Sequence, residues 1–198
     1  MKEKTDEKLM LEVADGDLQA YETLLERTKD KMITFLTRTL GDQGMAEEIF
    51  QEVFLRVFQA RATYKPTARF STWVFTIANN LCKDVWRKNK GVRPVSLGTP
   101  VTGEGKGKAI TLEQTLRANG PDPSAVSNEK ETNALVEQAL AGLPEDQRAV
   151  LILNVFQGMK YSEVARVMKC SLGAVKVRAF RARRELRMKL KGILGRMS

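Results

Sequence analysis

The 198-residue chain contains no histidine and only two cysteines, Cys82 and Cys170. Without histidine, the commonest general base near neutral pH and the commonest metal ligand are both missing, so an enzymatic reading starts without its usual parts. The two cysteines stand far apart in a chain that opens on no secretory signal. They read as reduced packing residues rather than a disulfide, and the expected location is cytoplasmic. No run of about 18 apolar residues occurs, so no helical membrane span is expected. No cofactor and no metal are expected either. What remains is a globular composition, 42% hydrophobic and 29% charged. That leaves room for one medium domain or two small ones.

Acidic residues are scarce in only one part of the chain. Residues 1–90 carry a net charge of +1, residues 91–142 carry −1, and residues 143–198 carry +9, which is the whole excess. A one-signed C-terminal segment suits a module that binds a phosphate backbone. Within it, YSEVARVMKCSLGAVKVRAFRARRELR (Tyr161 to Arg187) reads as a short helix, a tight turn and a second helix. At about 100° per residue, Val175, Ala179, Ala182 and Leu186 form a narrow apolar stripe. Lys176, Val177, Phe180, Arg181, Arg183, Arg184 and Arg187 lie opposite it. Ser171 stands at the N-cap of the second helix, ready to accept a first-turn amide. The pattern is that of a helix-turn-helix, whose second helix enters the DNA major groove.

Upstream, a short amphipathic piece from Asp6 to Ala14 precedes the turn Asp15-Gly16-Asp17. Helical periodicity then runs from Asp17 to about Leu40, and a third helix from about Asp42 to Ala60. The core stripe of that third helix is Phe50, Val53, Phe54, Val57 and Phe58. Its other face carries Glu48, Gln51, Glu52, Leu55 and Gln59, and Leu55 is the apolar member of that polar face. An irregular stretch comes next, with Pro66 as breaker and cations at Arg61, Lys65 and Arg69. A fourth helix is expected over about Ser71 to Lys88. Val74, Ile77, Ala78, Leu81 and Val85 face one way. Thr76, Asn80, Lys83 and Arg87 form a polar row on the other, with Trp73 at its edge and Phe75 and Trp86 off the core stripe. Rings beside a cationic row suit single-strand binding, since bases stack on aromatics and phosphates pair with Lys and Arg. Periodicity alone leaves open whether both tryptophans are instead ordinary core residues.

Residues 91–123 hold 6 of the 14 glycines and 4 of the 6 prolines and almost no apolar periodicity. A linker is predicted there, with brief structure around Ile110 to Leu116. As a flexible coil of about 38 residues it would span about 31–37 Å, and fully extended about 125–135 Å, enough for two turns of DNA at about 70 Å. Helicity resumes near Glu129. Pro144 is expected at the first position of a helix that Gly158 ends. The predicted fold is all-α: two small helical domains, residues 1–90 and 129–198, joined by a flexible linker at 91–128.

In this order the segments resemble the extracytoplasmic-function (ECF) sigma factors of bacteria over nearly the whole chain. AEEIFQEVFLRVF resembles the helix by which sigma domain 2 docks on the clamp of RNA polymerase. FSTWVFTIANNLCKDVWRK resembles the helix that reads and melts the −10 element. LPEDQRAVLIL with the helix-turn-helix resembles sigma domain 4, the −35 reader. The resemblance implies polymerase contact through Glu48, Gln51, Glu52 and Leu55. It implies that Arg61, Lys65, Arg69 and Phe70 belong to a loop capturing a flipped base, and that Trp73, Thr76, Asn80, Lys83 and Arg87 contact the −10 element. In domain 4 it implies −35 contact by Ser171, base-edge contact by Lys176, Val177, Phe180 and Arg181, and phosphate contact by Arg178, Arg183 and Arg184. The implied partners are core RNA polymerase (its beta-prime clamp and beta flap), promoter DNA and a cognate anti-sigma factor. No enzymatic activity is implied.

Two positions depart from the family pattern. Lys169 stands where the turn commonly has glycine, and Lys160 where a Ser or Thr cap often precedes the tyrosine. An autonomous helix-turn-helix regulator binding an operator is the alternative reading. It leaves the α-helical surface around Leu55 and the aromatic-basic helix without a role. A DNA-processing enzyme is disfavoured by the absence of histidine and of a carboxylate cluster in the basic domain.

Overall fold

Each of the first three helices begins on a side chain that receives its free amides. Thr5 accepts from the Lys8 N–H to open α1 (Asp6–Ala14). Asp17 accepts from Gln19 and Ala20 to open α2 (Leu18–Leu40), and Asp42 accepts from Met45 to open α3 (Gln43–Gln59). Such caps are each worth about 1 kcal/mol. Gly41 closes α2 at φ 77°, in the left-handed region that suits glycine, and its N–H donates to the Thr37 carbonyl at 2.7 Å. After a 3₁₀ turn (Arg61–Thr63), α4 (Phe70–Asn89) starts where the Phe70 N–H donates to the Glu7 carboxylate of α1 at 2.8 Å.

The structure, a computed structural model, describes residues 4–89 and 134–194. The predicted linker at 91–128, its brief structure at Ile110 to Leu116 and the resumption of helix near Glu129 lie outside the described residues. The C-terminal half comprises α5 (residues 134–141), α6 (Glu145–Leu151), a π-helical segment (Ile152–Phe156), α7 (Tyr161–Met168) and α8 (Leu172–Leu194). Among the described residues there is no strand. Pro144 sits one position earlier than predicted, at the N-cap of α6. Its extended backbone (φ −53°, ψ 140°) aims its carbonyl at the Gln147 and Arg148 N–H groups. Gly158, at φ 65°, comes after the π segment and lets the chain turn back into α7.

The core forms where the predicted stripes meet. Leu24, Met32, Phe35 and Leu36 of α2, Phe50, Val53, Phe54 and Val57 of α3, and Val74, Ala78 and Leu81 of α4 are buried together. Phe75 corrects the sequence reading. It is buried and meets Phe35 edge to face at 5.3 Å between ring centroids, because α4 is packed on more than one side. The same core continues into the C-terminal half through Val150, Ile152, Leu153, Val164, Val167 and Met168. A smaller cluster of Ala139, Leu140, Leu143, Leu151, Ala182 and Leu186 ties α5 and α6 to α8.

The two halves are therefore packed together, not held apart. Arg38 of α2 pairs with Glu137 of α5 at 2.7 Å, and its guanidinium lies 3.9 Å from the ring centroid of Phe156. Gln157 donates to the Lys31 carbonyl at 3.1 Å. The third connection, between α4 and α7, runs through the site.

Candidate nucleic-acid interface

The helix-turn-helix forms as its sequence implies, including its two departures. Lys169 takes the left-handed conformation (φ 52°, ψ 49°) at the C-terminal cap of α7. An L-residue with a β-carbon sits there at a cost of about 1 kcal/mol. Lys160 caps α7 without any help from its side chain, since an ammonium group has no lone pair to offer. The start of the helix is held from the other side, by the Glu163 carboxylate accepting from the Lys160 N–H at 2.9 Å. Ser171 accepts from the Ala174 N–H at 3.1 Å and so opens α8, whose first turn carries no acid.

On α8 the apolar stripe Val175, Ala179, Ala182 and Leu186 is buried as predicted. Lys176, Arg181, Arg184 and Arg187 are exposed, Val177 is half-buried, and Phe180 presents 62% of its surface to solvent. A phenyl ring so exposed amid cations is poorly placed for folding and well placed for a thymine methyl or a base edge.

Two arginines of the predicted phosphate set are engaged inside the domain. Arg183 donates to the Tyr161 hydroxyl at 2.6 Å and to Asn154 Oδ1 at 2.8 Å. Arg178 pairs with Asp146 at 3.1 Å and donates to the sulfur of Cys170 at 3.3 Å. Arg183 braces α8 against α7 and the π segment and Arg178 braces it against α6, which leaves Arg181, Arg184 and Arg187, with Lys176, as outward cations among its described residues.

On α3, Glu48 and Gln51 are exposed, Leu55 is 50% exposed, and half-buried Glu52 accepts from Arg56 at 2.7 Å. The sequence did not point to the groove beside them. About 450 Å³ in volume, it lies between α3 and α4 with Ile49, Leu81 and Val85 below and Glu52, Arg56 and Lys88 at its rim. Arg87, predicted on the −10 row, turns to pair with Asp84 at the edge of this groove.

The loop before α4 is more internal than its sequence implies. Phe70 is buried, and its ring lies 6.0 Å from that of Trp73. It therefore belongs to the core, because the first turn of α4 lies against α1. Tyr64 is also buried, 5.0 Å from Trp73, and its hydroxyl finds no partner among the described residues. Burial, with the charges of Glu7 and Asp6 added, pushes that phenol up to about 12. Burial also pushes the Glu7 carboxyl up. The Phe70 N–H, its own N–H, the Thr5 hydroxyl and the Arg69 charge outweigh it and hold the group below the usual carboxylate value. Arg61 stacks on Phe58 at 4.0 Å and donates to its carbonyl at 2.8 Å, while Lys65 and Arg69 are exposed.

The predicted polar row of α4 divides into two. Thr72, Thr76, Asn79 and Lys83 fall within about 60° of one another around the helix, with Asn80 and Trp73 on the neighbouring flank. The Thr76 hydroxyl donates back to the Thr72 carbonyl at 2.7 Å. Asn79 is fully buried and donates to the Val167 carbonyl at 3.4 Å, and Lys83 donates to the Met168 carbonyl at 3.5 Å. Arg69 lies 3.5 Å from Glu163. Asn80 and Trp73 stay half-buried. The sequence reading missed Asn79, although a second asparagine in mid-helix was a visible sign of a polar contact there.

Two family models match the chain, sigma-70 region 2 over residues 24–92 and sigma-70 region 4 over residues 133–186. The RNA polymerase sigma-H factor of Pseudomonas aeruginosa is 30% identical over 193 residues, with 97% of each chain covered. The ECF RNA polymerase sigma factor SigW of Bacillus subtilis is 29% identical over 186 residues, 94% of this chain and 97% of that one. Among solved structures, CnrH in complex with the cytosolic domain of CnrY has the same fold. It aligns with a TM-score of 0.64 at 22% identity, covering 98% of this chain and 100% of that one. Two regions in the family's order, with full-length relatives, decide the matter: the chain belongs to the sigma-70 family of RNA polymerase sigma factors, in its extracytoplasmic-function branch.

Proposed function

We propose that this chain is the promoter-specificity subunit of a cytoplasmic RNA polymerase, with residues 1–90 and 129–198 as its −10 and −35 modules. Sigma factors are initiation factors and not enzymes. Polymerase carries out nucleotidyl transfer, and the sigma subunit contributes sequence choice and strand opening. The single observation that carries the reading is the outward face of α8, where Phe180 stands exposed among Lys176, Arg181 and Arg184 while the opposite stripe is buried. That face presents cations for guanine O6 and N7, a ring for thymine methyls and charge for phosphates.

Leu55 with Gln51, Glu52 and Glu48 forms the docking face for the polymerase clamp, and domain 4 meets the flap. Asn80 and Trp73, with Thr76, Lys83 and Arg87 on the same helix and Arg61, Lys65 and Arg69 before it, hold the non-template strand. Extruding a base costs a few kcal/mol, which contacts in such a pocket offset. A cognate anti-sigma factor would silence the chain by covering these faces. Domain 2 with its clamp-docking face has no use in an autonomous operator-binding regulator, so that alternative is not adopted. The test is transcription in vitro with core polymerase over a genomic promoter library. Initiation at a discrete promoter set is expected, and no initiation from any fragment would overturn the reading.

A further inference from the structure

Deepening the −35 reading of α8, and resting on it, we propose that the chain reads its −35 element mainly through thymine methyl groups, with Leu172 as a specificity residue acting beside Phe180. The N-terminal residues of a recognition helix are the ones that reach base edges. Leu172 is the first residue of α8, next to the capping Ser171, and it is 44% exposed. Leu172, Lys176 and Phe180 follow one another at four-residue steps and fall within about 80° around the helix. All three are exposed, and half-buried Val177 lies beside them.

Adenine is read in the major groove by paired hydrogen bonds from Asn or Gln, and guanine by Arg or Lys. The first two turns of α8, Leu172 to Ala179, hold no Asn or Gln, and their one arginine, Arg178, is engaged by Asp146 and Cys170. Lys176 remains, and it can serve one guanine. What these turns otherwise present outward is apolar, and the C5 methyl of thymine is the apolar group that the major groove displays. Gly173 suits the same surface. A β-carbon there would meet only the Ser171 Oγ, at 3.9 Å, so the fold has room for a side chain. Glycine weakens a helix relative to alanine, and bare backbone at such a place permits close approach by a ligand. Eight residues separate Leu172 from Phe180, about 12 Å of helix axis, which spans about three to four base steps at about 3.4 Å each. The element that fits is two thymines at that separation, with a guanine between them within reach of Lys176.

The test uses holoenzyme, the full chain with core polymerase, on duplexes of the promoters it selects. Each thymine of the −35 element, on either strand, is replaced in turn by uracil, which keeps every hydrogen-bonding group and lacks only the C5 methyl. Two positions about three or four steps apart should each weaken binding about three- to fivefold when changed, the loss of one buried methyl-sized contact. Leu172→Ala should erase the sensitivity at one of them and Phe180→Ala at the other, each leaving the second position sensitive. Both side chains are exposed, so neither change disturbs the core. Uracil that costs nothing at any position, while a scrambled −35 element still weakens binding, overturns methyl reading and leaves −35 reading by α8 standing. A Leu172→Ala holoenzyme that keeps both sensitivities overturns the proposal as well. Binding indifferent to scrambling of the element would refute the −35 reading itself, and the methyl contacts would fall with it.

Discussion

Arg183 donates to the Tyr161 hydroxyl at 2.6 Å, so α8 is tied to the first turn of the helix before it. A neighbouring arginine, Arg184, is exposed and faces outward. The two should separate cleanly on mutation. Arg183→Ala leaves the Tyr161 hydroxyl and Asn154 Oδ1 without their donor and should lower stability by about 2 kcal/mol in urea denaturation. Arg184→Ala should leave the urea midpoint in place. Its effect should appear in duplex binding, as a loss similar across sequences and a salt slope reduced by about 1.

Leu55 is half-exposed on a face otherwise made of Glu48, Gln51 and Glu52. Leu55→Asp should therefore fold normally by circular dichroism and weaken binding to core polymerase by at least about tenfold, as for the loss of a central interface anchor. Unchanged polymerase affinity would move the docking face elsewhere, with the groove beside Ile49 and Leu81 the next place to look.

Asn80 lies half-buried on the flank of α4, beside the face that meets α7. Asn80→Ala should slow promoter opening, followed by permanganate reactivity of unpaired thymines, more than it weakens holoenzyme binding to duplex promoter. Equal losses at both steps would remove Asn80 from strand capture.

Lys169 holds a left-handed conformation at φ 52° without the freedom of glycine. Lys169→Gly should raise stability by up to about 0.5 kcal/mol, what is left of the relieved β-carbon strain after the added entropy of an unfolded glycine is subtracted. The change is read as a shift in denaturation midpoint at constant slope.

Glu7 titrates below its usual value because the amides it accepts from, the Thr5 hydroxyl and Arg69 together outweigh its burial. A carboxyl depressed in the folded state contributes stability above the unfolded value of about 4.3, and that contribution is lost as pH falls through its folded value. Glu7→Gln should therefore be less stable than the parent at neutral pH, and the gap should close as the pH is lowered below about 4. Parallel urea midpoints across that range would contradict the assignment.

Helix positions were legible in the sequence because caps and periodicity are local. Ser171 caps as its position implies, and Thr5, Asp17 and Asp42, at or beside the predicted helix starts, cap in the same way. The exposed face of α8, with Lys176, Phe180, Arg181 and Arg184, was legible for the same reason. What sequence could not separate was Arg183 from Arg184, since both lie outside the apolar stripe and only the placement of α7 gives one of them a partner. Phe75 misled for a related reason. A single-stripe reading assumes one buried side, and α4 is covered from α2, α3 and α7. The burial of Asn79 depends wholly on a contact between halves nearly 90 residues apart in the chain.

The π-helical segment Ile152–Phe156 sets the phase between the two cores. Its wider turn lets Leu151 enter the smaller cluster while Val150, Ile152 and Leu153 enter the larger one, and it brings Phe156 beneath Arg38. Removing one residue there would restore ordinary pitch and rotate α7 and α8 by about 100° against the helices before them. Such a deletion would put α8 out of step with the rest of the chain without altering any residue on its exposed face.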